Sequence, residues 1–235
     1  MNWQPVEKPS EMAENRLIQA IIDGHFPVDS VLPAERELAL QLGVTRPTLR
    51  EALQRLARDG WVDIRHGLPT RVRDYWREGQ LAVLISILRQ PGGFGGDVVP
   101  NLLNVRLAMA PAYTRLAVER SPAALAAFME GYLTLPDTSE DYTQADWELH
   151  HRLTVLSGNP VYTLILNGFK ELYHLMGNRY FARPEARLFS ASYYRGLLRL
   201  AQTGGAAEAE TLARQVMAQS LDFWNSLAQG DAHVD

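Results

Sequence analysis

The pattern of apolar residues between Leu32 and Arg73 predicts two short helices followed by a β-hairpin. In the second helix, apolar residues recur at intervals of three and four, which places them on one face of a 3.6-residue helix. These residues are Leu49, Ala52, Leu53, Leu56 and Ala57. Thr45 is a suitable N-cap for this helix, and Pro47 fits its first turn. Gly60 is placed to end it in a left-handed conformation.

Short segments on either side of this helix complete the predicted unit. The first helix is predicted over residues 33–42, with Gly43 making the turn between the two helices. Segments 61–65 and 70–73 alternate between apolar and polar residues, which predicts two strands joined by a loop at 66–69. Helix, turn, helix and hairpin in this order indicate a winged helix-turn-helix.

The rest of the chain has the periodicity of helices. They are predicted near residues 78–90, 97–119, 122–133, 142–156, 160–181, 184–202 and 206–229. The segments between these helices contain glycine, proline or capping residues, including PGGFGG at 91–96. The longest helices are apolar on more than one side, which predicts a bundle with a buried axis that can surround a pocket.

The predicted fold class is therefore mainly α, with an N-terminal winged helix-turn-helix and a C-terminal all-α bundle of about seven helices. We assign residues 1–75 to the winged domain and 76–90 to a linker helix. Residues 91–235 form the predicted helical domain, which we expect to sense a ligand and to take part in dimer formation.

The distribution of charge favours nucleic acid as a partner of the winged domain. The chain of 235 residues has a net charge of −4, yet residues 45–73 contain seven arginines against Glu51, Asp59 and Asp63, a net +4. A positive region on an acidic protein is typical of a DNA-binding surface. Arg46 and Arg50 are four residues apart, so they share a helix face opposite the apolar stripe. The alternative is a structural helical hairpin with a solvated charged face.

Composition restricts the remaining classes of protein. The chain has no cysteine, which excludes disulfides and thiol catalysis. The first fifteen residues lack the basic and apolar segments of a secretory signal. The longest apolar run, residues 81–88, is too short to span a bilayer. We therefore expect a cytoplasmic protein that does not associate with membranes.

Two groups of motifs carry a resemblance to a known family. LPAERELALQLGVTRPTLREALQRLARDG, followed by W-x-x-I-x-H-G, resembles the GntR family of bacterial transcription regulators. Further downstream, SGNPVYTLILNGFKELY and NRYFARPEAR resemble the branch of that family that regulates fatty-acid metabolism in response to acyl-CoA. The resemblance covers roughly residues 10 to 225. It implies a DNA-binding regulator that represses fatty-acid degradation, with activation of biosynthesis as a second role, rather than an enzyme.

The resemblance implies a homodimer on a palindromic operator, because two winged domains related by a two-fold axis match two half-sites. The residues expected to act in DNA binding are Glu35, Arg36, Thr45, Arg46, Pro47, Thr48, Arg50, His66 and Gly67. The three arginines are expected to contact bases or phosphates, and His66 and Gly67 to enter the minor groove. Arg55 is instead expected to pair with Glu51 or Asp59 at helical spacing.

The resemblance also implies that the helical domain binds a long-chain acyl-CoA as its effector. The positions that correspond are Leu102, Arg106, Tyr173, Tyr180, Met217, Ser220 and Trp224. Arg106 would neutralise a CoA phosphate, and the alternative for this residue is a salt bridge to a glutamate of the bundle. Met217 stands where the family has a glycine, which would narrow the pocket.

One pair of residues suggests a different sensing chemistry. Asp146 and His150 are four residues apart on one helix face, which is metal-ligand spacing. In many GntR relatives two further histidines complete such a site, but the positions that seem to correspond here are Tyr194 and Ser220. We therefore expect no metal, no cofactor and no catalytic residue. The alternatives are a GntR regulator that senses a small carboxylate through a metal and, less favoured, a metal-dependent hydrolase.

Overall fold

A computed structural model of the protein describes residues 8–91 and 98–231, with side chains described up to residue 226. The contacts divide the chain into two compact units, the first ending at Gly93 and the second beginning at Phe94. The mainly helical fold class is confirmed. The loop predicted at 91–96 lies outside the described residues, apart from Pro91.

The N-terminal unit contains helices and one small sheet in the order of a winged helix-turn-helix. Its elements are α1 (Pro9–Ile22), α2 (Glu35–Leu42), α3 (Arg46–Asp59), β1 (Val62–Asp63), β2 (Arg71–Val72), α4 (Tyr75–Glu78) and α5 (Leu81–Arg89). β1 and β2 are antiparallel, with Val62 opposite Val72. The predicted hairpin is therefore present, although its strands are shorter than the sequence pattern indicated.

The local signals predicted for α3 are confirmed. The Thr45 hydroxyl accepts a hydrogen bond from the backbone N–H of Thr48 at 3.3 Å, and Gly60 ends the helix with φ +96°. Four members of the apolar stripe are buried; they are Leu49, Ala52, Leu53 and Leu56. The three leucines pack in one core with α1 and Trp61. Burying one side of α3 in this way leaves its opposite side exposed.

Two helix boundaries differ from the sequence prediction. α2 begins at Glu35 rather than at Pro33, because Ala34 is still extended with ψ 141°. The helix predicted at 78–90 is interrupted at Gly79, whose ψ of 166° separates α4 from α5. The backbone N–H of Gln80 then donates to the carbonyl of Asp59 at 3.1 Å, which ties the start of α5 to the end of α3. α5 therefore packs within the N-terminal unit, against α1 and α3.

The C-terminal unit is a bundle of helices, as the sequence predicted. Its elements are α6 (Val98–Arg120), α7 (Pro122–Met129), a 3-10 turn (Glu130–Thr134), α8 (Ser139–Leu156), α9 (Pro160–Gly168), α10 (Lys170–Phe181), α11 (Pro184–Thr203) and α12 (Ala206–Asp231). α6 contacts both α8 and α12. Among the described residues, no helix has the length and apolar character needed to cross a bilayer.

The single helix predicted at 160–181 is wrong, because the chain breaks at Phe169. There the backbone N–H donates to the carbonyl of Leu166, three residues earlier, and ψ is 0°. Gly168 precedes the break, and glycine weakens a helix. The helix predicted at 122–133 is likewise shorter, since it ends at Met129 and continues as the 3-10 turn.

Candidate DNA-binding surface and ligand cavity

The exposed side of α3 carries two arginines that share one acidic partner. Arg50 Nε donates to Glu35 Oε2 at 2.8 Å, and Arg46 Nη2 lies 3.7 Å from the same oxygen. Both arginine side chains are more than half exposed, at 56% and 58%. Glu35 belongs to α2, so this carboxylate links the two helices through the side chains of α3 that are predicted to contact DNA.

The other residues predicted to act in DNA binding also lie on the surface of the N-terminal unit. Arg36, Thr45, Pro47, His66 and Gly67 are exposed, and Thr48 is half-buried. The hydroxyls of Thr45 and Thr48 are 2.8 Å apart at the start of α3. Gly67 has φ +76° at the tip of the hairpin, a conformation that favours glycine. Their contacts with DNA stay a prediction.

The positive charge of residues 45–73 is smaller in the fold than in the linear sequence. Each of the seven arginines has an ion-pair partner, and four of these partners lie outside the segment. The pairs are Arg46 and Arg50 with Glu35, Arg55 with Glu14 and Glu51, Arg58 with Asp59, Arg65 with Asp63, Arg71 with Asp29, and Arg73 with Glu78. The prediction that Arg55 pairs with Glu51 is confirmed, and its second partner on α1 indicates a structural role.

The C-terminal unit encloses a mostly apolar cavity between α6, α8, α9, α10 and α12. Its lining residues are Leu102, Leu103, Val105, Arg106, Met109, Tyr113, Asp146, Ile165, Leu166, Phe169, Leu172, Tyr173, Met176, Gly177, Tyr180, Phe181, Ser220 and Trp224. The break at Phe169 places that side chain in the wall. The polar groups in the lining are few, which is typical of a site for a largely apolar molecule.

Six of the seven residues predicted to bind the ligand line this cavity. They are Leu102, Arg106, Tyr173, Tyr180, Ser220 and Trp224. Tyr180 donates a long hydrogen bond to Ser220 Oγ at 3.4 Å, which joins α10 to α12. Met217 differs, because it is 2% exposed and packs in the main core of the bundle rather than in the cavity wall. The structure therefore gives no basis for a narrowing of the cavity by Met217.

Several lining residues were missed in the sequence, although helical spacing could have found them. Met109 and Tyr113 follow Arg106 at three and seven residues along α6. Phe169 and Met176 lie four residues before and three residues after Tyr173. Residues at these intervals share one face of a helix. Each predicted lining residue therefore indicates that residues three, four or seven positions away also line the cavity.

An ion pair between a buried aspartate and a partly buried arginine forms the polar part of the cavity wall. Arg106 Nη2 donates to Asp146 Oδ2 at 2.9 Å. The Tyr194 hydroxyl donates to Asp146 Oδ1 at 2.9 Å, and the Tyr173 hydroxyl donates to Oδ2. Burial raises the pKa of Asp146, but the Arg106 charge and the donors outweigh burial, so this pKa lies below its usual value. Asp146 is therefore a charged carboxylate with its oxygens satisfied.

His150 extends the same network and is neutral. Arg106 Nη2 lies 2.6 Å from His150 Nε2, and the Tyr113 hydroxyl lies 2.7 Å from Nδ1. A guanidinium can only donate, so Nε2 accepts, and the neutral ring carries its proton on Nδ1 and donates to Tyr113. Burial, together with the Arg106 charge, lowers the pKa of His150 to about 3.

This network changes the interpretation of two predicted sites. Arg106 already has a counterion in Asp146, so a salt bridge within the bundle describes it better than a counterion for CoA phosphate does, although the partner is an aspartate and not the glutamate that was expected. Asp146 Oδ1 and His150 Nε2 are 3.9 Å apart, but the guanidinium occupies the space beside both. In the part of the chain that the structure describes, no group of three or more metal-ligating side chains occurs. A metal at this pair would have to displace Arg106.

Residues 9–72 match the family described as bacterial regulatory proteins, gntR family, and residues 73–231 match the FadR C-terminal domain. The chain belongs to the GntR family. The resemblance that the motifs carried is thereby confirmed, including the FadR type of the C-terminal domain. GntR proteins of this kind are transcription regulators that bind DNA, so the role predicted for the N-terminal unit is confirmed at the level of the family.

Relatives of similar length support this assignment. The "Fatty acid metabolism regulator protein" of Shewanella pealeana is 41% identical over 228 residues, which cover 97% of this chain and 95% of that protein. The protein of the same name from Shewanella baltica is 43% identical over 93% of this chain and 92% of its own length. The solved structure of Lar, which controls the Listeria monocytogenes agr system, matches with a TM-score of 0.63. At 20% identity, over 95% of this chain and all of Lar, that likeness concerns the fold alone.

Proposed function

We propose that this protein regulates the transcription of fatty-acid metabolism genes and that a long-chain acyl-CoA, bound in the C-terminal cavity, releases it from its operator. The observation that carries this proposal is the apolar cavity, because most of its wall consists of aliphatic and aromatic side chains. The names of the relatives from Shewanella, which describe regulators of fatty-acid metabolism, point the same way.

The energetics of an acyl chain suit such a cavity. Burial of each methylene contributes about 0.8 kcal/mol, so a long chain supplies many times the energy of a single contact. Moving a two-state protein from one extreme to the other requires a difference in affinity of about 5.5 kcal/mol between the states. A long acyl chain can meet that requirement if the two states of the regulator bury different lengths of it.

The exposed face of α3 supplies the residues that would contact DNA bases. Arg46 and Arg50 project from a helix whose other side is packed in the core. An arginine that donates two hydrogen bonds to guanine contributes about 1–3 kcal/mol of discrimination in the major groove. One winged domain makes few base contacts, so we propose a homodimer on a palindromic operator.

The test requires an operator identified by in vitro selection from random DNA with the full-length protein. Fluorescence anisotropy then measures operator affinity with and without oleoyl-CoA. We expect oleoyl-CoA to weaken binding by at least tenfold, and Arg46→Ala to abolish specific binding while oleoyl-CoA binding persists. Unchanged operator affinity at saturating oleoyl-CoA would contradict ligand control, and full affinity of Arg46→Ala would contradict the assignment of α3.

The alternative that a small carboxylate is sensed through a metal gains no support from the described residues, since Arg106 takes the position beside Asp146 and His150. Calorimetry distinguishes the two proposals. Zinc with citrate should give no heat of binding, whereas oleoyl-CoA should saturate one site per chain.

A further inference from the structure

We propose that the cavity of the C-terminal unit opens to solvent between Val105 and Ile165, and that the far end of a long acyl chain leaves through this opening to lie on the outer face of α9. This inference rests on the proposed function, since it concerns the hydrocarbon part of the same acyl-CoA. It assigns the preference for chain length to an exposed surface beside the cavity.

Two residues mark the place where the cavity reaches the surface. Val105 on α6 is 42% exposed and Ile165 on α9 is 37% exposed, and both line the cavity. The other described residues of the lining are all buried or half-buried. A side chain that faces a cavity and solvent at the same time lies at the rim of an opening. The opening is therefore between α6 and α9.

The rim suits hydrocarbon better than a charged group. Val105 and Ile165 have aliphatic side chains. Among the described residues of the lining, Arg106 is the single basic side chain, and its Nη2 lies 2.9 Å from Asp146 Oδ2. Phosphate groups are bound by cations or remain in water. An aliphatic rim without a second cation therefore fits the methyl end of the ligand rather than its CoA part.

The apolar character of the rim continues along the exposed face of α9. Leu164 and Ile165 follow Val161 at three and four residues, so the three side chains lie on one face of the helix. Val161 is 56% exposed and Leu164 is 70% exposed. Single exposed aliphatic residues are ordinary, but three neighbours on one face form a continuous apolar surface. We call this row the α9 stripe, and it begins at the rim of the opening with Ile165.

The α9 stripe offers a place for methylenes that the cavity does not hold. The part of α6 in the wall, from Leu102 to Tyr113, is about 17 Å long at a rise of 1.5 Å per residue. An extended stearoyl chain is longer than this wall. Methylenes beyond the opening would cover the stripe on one side and face water on the other, so each adds less affinity than a methylene inside. Affinity should therefore keep rising with chain length, by smaller steps.

Isothermal titration calorimetry of the full-length protein with lauroyl-CoA and stearoyl-CoA tests the α9 stripe, at concentrations below those at which the ligands form micelles. Leu164→Gln keeps the length of the side chain and removes its aliphatic surface. We expect it to weaken stearoyl-CoA binding by about fourfold, the effect of returning roughly one methylene to water. Lauroyl-CoA binding should not change, because the shorter chain ends inside the cavity.

Leu188→Gln is the matched control for this variant. Leu188 lies on α11, is 72% exposed and does not line the cavity. The substitution is the same as at Leu164 and the exposure is nearly equal, so a general effect of the lost aliphatic surface would appear in both variants. We expect Leu188→Gln to bind both ligands as the wild type does.

Val105→Trp tests the opening itself, because the larger side chain fills the space between α6 and α9. The exposure of Val105 leaves room for an indole at the surface without overpacking the core. We expect stearoyl-CoA binding to fall by about tenfold or more, while lauroyl-CoA binding stays within about twofold of the wild type. The variant would thereby acquire an upper limit of chain length.

The outcomes separate this inference from the proposed function. If the wild type binds stearoyl-CoA and both variants bind it equally well, the opening and the stripe are wrong and the proposed function stands. Equal losses for lauroyl-CoA and stearoyl-CoA would also overturn the inference, because a site for the far end of the chain must distinguish length. If Leu164→Gln changes the oligomeric state in sedimentation experiments, a second copy of the chain covers the stripe and the inference is wrong. If the wild type binds neither ligand, the proposed function fails and the inference fails with it.

Discussion

Arg106, which is partly buried, and the buried Asp146 form an ion pair across two helices, with Nη2 of the arginine 2.9 Å from Oδ2 of the aspartate. Asp146 is 4% exposed and accepts further hydrogen bonds from Tyr173 and Tyr194. The same guanidinium donates to His150, so one cation organises the polar side of an otherwise apolar cavity. The pair joins α6 to α8, and it lies in the wall that the ligand is proposed to contact.

Removing one partner of this pair should destabilise the bundle strongly. Arg106→Met leaves the Asp146 carboxylate buried without a counterion, and such a loss costs about 3–5 kcal/mol of the free energy of unfolding. Urea titration followed by circular dichroism measures the difference.

The control for this prediction is the double variant Arg106→Met/Asp146→Leu, in which no charge is left buried. It should recover most of the lost stability, because replacing a whole buried pair by apolar residues is often neutral. A single variant that loses less than about 1 kcal/mol would show that the carboxylate finds another partner or becomes protonated at little cost.

The buried imidazole of His150 should make the protein lose stability as the pH falls. Burial and the Arg106 charge lower its folded-state pKa to about 3, against the ordinary value of 6.5 that the unfolded chain retains. Well above pH 6.5 the ring is neutral in both states and contributes no pH dependence. Between pH 6.5 and 3 the unfolded state takes up a proton that the folded state does not, so stability falls by up to about 1.4 kcal/mol per pH unit.

His150→Gln isolates this contribution, because glutamine does not titrate and keeps an acceptor for Arg106. Urea titrations at pH 7, 6 and 5 should show a steeper loss in the wild type than in the variant. Parallel pH profiles for the two proteins would mean that His150 is protonated in the folded state.

The recognition helix could be predicted because its determinants are close together in the sequence. The Thr45 cap, the apolar stripe and the Gly60 stop all act within one helix, so each leaves a local pattern. The helical bundle could be predicted in the same way. The interruption at Phe169 could not, because the apolar pattern continues through Gly168 and Phe169 in the sequence, and tertiary packing can override such a pattern.

Local sequence patterns could not predict the contacts between residues that are distant in the sequence. The spacing of Asp146 and His150 was visible, but the sequence did not show that Arg106, forty residues earlier, would lie beside both. The charge of residues 45–73 was overestimated for the same reason, since Glu14, Asp29, Glu35 and Glu78 come from outside the segment. The ligand residues were placed by resemblance, and Met217 shows that a corresponding position need not face the cavity.

The Thr45 cap should contribute measurably to the stability of the N-terminal unit. Its hydroxyl accepts a hydrogen bond from the Thr48 N–H, which otherwise has no partner within the first turn of the helix. Thr45→Ala should lower the free energy of unfolding by about 1 kcal/mol, whereas Thr45→Ser should retain most of it. Equal urea midpoints for the two variants would show that the hydroxyl does not act as a cap.

Glu35 should control the specificity of DNA binding by holding Arg46 and Arg50 in place. Its Oε2 lies 2.8 Å from Arg50 Nε and 3.7 Å from Arg46 Nη2. In Glu35→Gln the two arginines lose this shared anchor but keep their charge, so contacts with phosphates persist while contacts with bases become less well directed. We expect the ratio of specific to non-specific affinity to fall roughly fivefold, about 1 kcal/mol. Anisotropy titrations with the selected operator and with a scrambled duplex measure this ratio.

Glu37→Gln is the matched control, because it removes the same charge from the same helix. Glu37 is exposed and accepts a hydrogen bond from Gln41 at 3.3 Å, rather than from an arginine of α3. Both variants should bind non-specific DNA somewhat more tightly than the wild type, since each removes a negative charge near phosphates. Only Glu35→Gln should lose discrimination. An equal loss in the two variants would mean that net charge on α2, and not the positions of Arg46 and Arg50, sets the specificity of the surface.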